Sequence, residues 1–145
     1  MTLTIDMKMN QLLVMVALPL SLFCQLNAEE KDTPMTTEMK AASKALKELR
    51  KIKPGDWEAM AKTVRASHTA LLKSMSETAA LVKEMKDGPE KAIATADSRK
   101  LLGLCYAALC ELEIAYLKKD AAAAAKAMEK IKEIKKEGHE KYSDD

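Results

Sequence analysis

A methionine thioether and a histidine imidazole can fill the two axial positions of a haem iron. The sulfur favours the reduced metal and raises its potential, while imidazole binds either oxidation state. With both positions filled the iron moves electrons and makes no bonds. Met39 and His139 are the pair in this chain that could do this chemistry, one near each end of the residues that follow the leader. Met39 has a neighbour in Met35, and with His139 the two methionines also make a soft set for Cu(I). A covalent haem needs Cys-x-x-Cys-His, and Lys135 and Gly138 stand where the two cysteines would be. Any haem would therefore be a b-type group, held without covalent links.

The other reactive residues read more plainly. His68 falls at the edge of a helical stripe, mid-chain, and reads as a boundary histidine. Cys105 and Cys110 are five apart, which on a helix leaves them about 140° around the axis and roughly 8 Å apart. That is beyond disulfide reach, so they read as packing residues. The chain has no His-Glu-x-x-His, no nucleophile elbow and no phosphate-binding glycine loop. Its carboxylates mix with lysines on polar faces, so no enzyme is expected. With 24 basic and 22 acidic residues there is no basic field for nucleic acid.

The elements that must position Met39 and His139 are helices. Gly and Pro number only 4 each, aromatics are 3%, and Ala, Lys, Glu, Leu and Met dominate. Lys8, the apolar run Leu12 to Phe23 and the small residue Ala28 have the order of a secretory signal peptide, giving residues 1–28 as a leader. The run is too short for a permanent anchor. Phe23 stands where a lipoprotein signal at Cys24 would want a small residue. Residues 29–145 are then expected as an exported, periplasmic, monomeric domain.

Four helices are expected in it. Helix one starts at Thr33-Pro34, ends before Pro54-Gly55 and carries Met35, Met39, Ala42, Leu46 and Leu49. Helix two is capped by Asp56 and runs to Asp87-Gly88-Pro89, with Met60, Val64, Leu71, Met75, Val82 and Met85 on one face. Trp57 at its start is expected to plug that end. Helix three carries Ile93, Leu101, Leu102, Leu104, Cys105, Leu109, Leu112 and Leu117 to a break at Lys118-Lys119-Asp120. Asp120 caps helix four, whose inner side has Ala121, Ala124, Met128, Ile131 and Tyr142. Short connections favour an all-α, antiparallel up-down-up-down four-helix bundle. That topology puts the start of helix one and the end of helix four at the same end. His139 lies about 20° from the line through Met128, so the Met and the His can meet there. Lys135 shares that side and has two readings: pairing with a haem propionate, or snorkelling to water, the second preferred.

The segment MKAASKALKEL, Met39 to Leu49, resembles the opening helix of the soluble cytochrome b562 family. The segment Ala121 to Tyr142, ending KKEGHEKY, is similar to that family's last helix, and Asp97-x-Arg99 resembles the start of its third. The resemblance implies a haem b held by Met39 and His139. It also implies an electron-carrying role with redox partner proteins of the envelope. Where the family places aromatics beside the haem, Ser98 and Leu102 stand here. The rival expectation is a haem-free bundle that acts by binding a partner protein.

Overall fold

The computed structural model describes residues 33–142. The expected leader and Cys24 lie outside the described residues. Among those described, the chain is all-α: α1 (Pro34–Glu48), α2 (Trp57–Ser74), α3 (Ala80–Glu84), α4 (Pro89–Leu117) and α5 (Ala121–Tyr142). A 3₁₀ turn, Leu49–Lys51, extends α1. None of these helices is long and apolar enough to cross a membrane.

The helix ends follow local chemistry. Thr33 Oγ1 accepts from Thr36 N at 3.1 Å and Pro34 sits at the first turn of α1. Asp56 Oδ1 accepts from Ala59 N at 3.1 Å at the start of α2. At the end of α4, Asp120 N donates to Ala115 O at 2.9 Å and Lys119 N to Tyr116 O at 3.0 Å. This is a Schellman closure, with Lys119 in the left-handed position at φ 58°. Asp120 Oδ1 then accepts from Ala123 N at 2.9 Å and opens α5.

The second helix departs from expectation. It stops at Ser74 instead of running to Met85, and α3 is a separate short helix. Ser74 Oγ donates to Leu71 O at 2.7 Å and Ser76 Oγ to Lys73 O at 3.0 Å. These hydroxyls offer the backbone an alternative to the next helical turn. Leu71, Met75 and Val82 keep helical spacing across the break, which hid it from the hydrophobic pattern.

Neighbours in the chain pack as neighbours in space: α1 on α2, α2 on α4, and α4 on α5. The α1–α2 and α4–α5 pairs run antiparallel. Ser67 Oγ donates to Ala42 O at 3.1 Å, while Ser74 Oγ, further along α2, reaches Met39, further back on α1. Lys130 bonds Glu111 at 2.9 Å, while Lys141 bonds Asp97 at 3.2 Å. One core joins them, with Leu71, Leu109 and Ile131 buried and Leu46 packed against it. Four residues expected inside are outside: Ile93 and Leu117 are 68% and 59% exposed, and Leu104 and Ala121 are also exposed. The α4 residues were misplaced because that helix is apolar around most of its circumference, so periodicity alone selects no single face.

Candidate functional site

Met39 lies on the inner side of α1, half-buried and packed against the core. Its Sδ faces Ser74 Oγ at 3.5 Å. His139 lies on the last turn of α5 and is exposed. One link between the two helices is Lys135, whose Nζ donates to Ser43 Oγ at 3.3 Å. Four residues back along α1 from Ser43 is Met39, and four on along α5 from Lys135 is His139. In an α-helix that is one turn in each case. The two antiparallel steps bring Met39 and His139 to the same level on facing sides of the seam.

The seam is wide. No Cα of α1 comes within 8 Å of a Cα of α5, although α1 and α2, α2 and α4, and α4 and α5 do approach that closely. Gly138 enlarges the space beside His139. It falls one turn beyond Ile134 and two beyond Ile131, on the inward stripe of α5, and a Cβ added there would meet nothing within 4 Å.

Gly138 could have ended α5 early and swung His139 away, but the helix continues to Tyr142. The reason is an anchor on α4. Tyr142 OH donates to Asp97 Oδ2 at 2.7 Å, and Lys141 Nζ to the same oxygen at 3.2 Å. The Tyr142 hydroxyl and then Lys141 hold the Asp97 carboxyl below its ordinary value. Lys141 is raised by its bonds to Glu137 and Asp97. Tyr142 is raised by burial and by the bond to Asp97.

Leu102 and Ser98 are both buried on α4, and Ser98 Oγ is spent on Thr95 O at 2.9 Å. Their levels follow from the Asp97 contacts to Lys141 and Tyr142, which put Ser98 near Tyr142 and Leu102 near Gly138. Lys135 is exposed, as snorkelling requires. Cys105 lies close enough to feel the Lys135 charge, but burial dominates and pushes its thiol up to about 11. Both cysteines are free thiols.

The remaining sequence candidates lie elsewhere. His68 is buried, deeper than the boundary position expected, with its ring tilted against Tyr106 at 5.4 Å. Its Nδ1 is 3.5 Å from Glu113 Oε2, while Nε2 is buried without a hydrogen-bond partner. Trp57 is half-buried and tilted against Tyr116 at 6.2 Å at the opposite end, beside Pro54 and Gly55. Sequence reasoning missed Ser43, Ser74 and the part of Asp97 as an anchor. Only the Asp97-x-Arg99 likeness pointed toward the last, since the others need the register between helices. Comparison of the chain with family models, curated proteins and solved structures finds no match.

Proposed function

We propose that the chain closes as an antiparallel up-down-up-down four-helix bundle and carries one non-covalent haem b at the α1–α5 seam. Met39 and His139 would hold its iron, and its role is electron transfer in the cell envelope. The observation that carries this reading is the Lys135–Ser43 bond, because it brings the two ligand types to one level across a seam that lacks close backbone packing. The open side of Gly138 and the continuity of α5 to Tyr142 support it further.

When bound, the group supplies a one-electron iron couple. The rest is the work of this chain's residues. Met39 would hold the iron through a thioether that now rests 3.5 Å from Ser74 Oγ, whose one hydrogen goes to Leu71 O, so little is lost when it turns; a thioether would favour the reduced metal. His139 turns inward from the last turns of α5, which the Asp97–Tyr142 bond keeps helical. Leu102 gives an apolar wall, and Ser98 adds little bulk where an aromatic would have packed. Lys135 stands one turn above His139 and holds water or a carboxylate at the seam's edge. The reading is of a carrier and not an enzyme, exported with a mature start near Glu29, meeting redox proteins and no nucleic acid.

A haem-free bundle acting through a partner is the second reading. It is favoured by the Ser74–Met39 contact, which gives the thioether a purely structural place. Haem titration followed by visible spectroscopy separates them. Stoichiometric uptake lost on His139→Ala supports the carrier; no uptake leaves the haem-free bundle.

A further inference from the structure

The outward face of α4 is apolar in a regular way that nothing in the described chain uses. Ile93, Lys100, Ala107 and Ile114 recur every seven residues, and so do Ala96, Gly103, Cys110 and Leu117, three residues further on. These are the two seam positions of a heptad repeat, held for more than three heptads and apolar at seven of eight places. All eight are exposed or half-exposed, with Ile93, Ile114 and Leu117 at 50% or more. A sustained seven-residue repeat on an exposed helix is the pattern of a helix that expects a second one.

Gly103 is an independent sign. A glycine in the middle of a helix weakens it, and the chain gets nothing in return: a Cβ there would meet nothing within 4 Å. What the missing side chain does allow is close approach of another backbone from outside.

The identity of that helix follows from charge. Lys100 lies on the first half of the face, and Glu111, which Lys130 of the same chain also reaches, flanks the second half. A second copy laid antiparallel puts Gly103 against Ala107 at the centre, Ala96 against Ile114 further out and Ile93 against Leu117 at the ends. The same register sets Lys100 opposite Cys110 of the other copy and brings it toward that copy's Glu111. A parallel copy would instead face Lys100 with Lys100. We propose that two copies of this chain associate through an antiparallel α4–α4 seam centred between Gly103 and Ala107. Such an interface is isologous, so the charge pair occurs twice. It replaces the monomer expected from the sequence, and it stands whether or not haem binds, since α4's outer face is turned away from the α1–α5 seam.

Sedimentation of the purified full chain over a concentration series tests this. A concentration-dependent dimer is expected, and a single-copy mass throughout would overturn the proposal. Gly103→Leu should abolish the dimer while the melting temperature of the single copy holds or rises. If that variant still dimerises, the seam is elsewhere; if it melts lower, the missing side chain at Gly103 serves the single copy's own packing, and the proposal again fails. Lys100→Glu and Glu111→Lys should each weaken association by at least about tenfold, and the double exchange should restore it. A double exchange that stays monomeric overturns the antiparallel register.

Discussion

Asp97 shows how one side chain can hold a site it does not enter. Its carboxyl is lowered by the Tyr142 hydroxyl and by Lys141. A carboxyl lowered on folding stabilises the folded form above its unfolded titration range, and that contribution is lost as pH falls through the lowered value. Lys141, raised by Glu137 and Asp97, and Tyr142, raised by burial and Asp97, act in the opposite window. Their contribution is present at neutral pH and is lost as pH rises through their raised values. Amide exchange of residues 137–142 should therefore be slowest near neutrality, after correction for intrinsic rates, and faster at both extremes. Tyr142→Phe should speed exchange there with little change in global melting. Unchanged protection in that variant would remove the anchor from the account. Cysteine reactivity is a second test at this scale. Burial raises both thiols, Cys105 to about 11, so Cys105 should resist alkylation at neutral pH until the chain unfolds.

Among the elements, what could be read from the sequence was what is local. Thr33, Asp56 and Asp120 cap the helices they were expected to cap, because a cap is decided by a few adjacent residues. The break after Ser74 was not legible, since the hydrophobic spacing runs through it and the hydroxyl bonds that stop the helix appear only once it has folded. The outward places of Ile93 and Leu117 were hidden for a different reason: α4 offers apolar residues to both its inner and its outer side. Lys119 gives this scale its prediction. A lysine holds the left-handed position that closes α4, which costs a residue with a Cβ about 1 kcal/mol or more. Lys119→Gly should stabilise the chain by about 1 kcal/mol in denaturant unfolding. A destabilised variant would mean that the closure does not carry that strain. In the core, Leu71→Ala removes a side chain that is 1% exposed, and should cost about 2–5 kcal/mol. A cost near zero would place Leu71 outside the unit that unfolds.

At the scale of the whole molecule, Met39 and His139 were identifiable by type, and their shared level depends on the order of the helices. The sequence could not place Ser43, whose bond to Lys135 spans α1 and α5, nor the width of the seam between them, because both arise only from the packed arrangement. Nor could it show that the Met39 thioether rests on Ser74 before any ligand arrives. The proposed carrier thus asks for two small rearrangements, a thioether turning from a hydroxyl and an imidazole turning inward, on a frame already in register. The most direct test is the visible spectrum of the reduced protein after loading with one equivalent of haem, recorded for wild type, Met39→Ala and His139→Ala. The account predicts sharp, split low-spin bands for wild type. Met39→Ala should keep the haem in a high-spin form with a lower potential, and His139→Ala should lose most of it. A wild-type protein that takes up no haem, or a His139→Ala variant with the wild-type spectrum, would contradict the account.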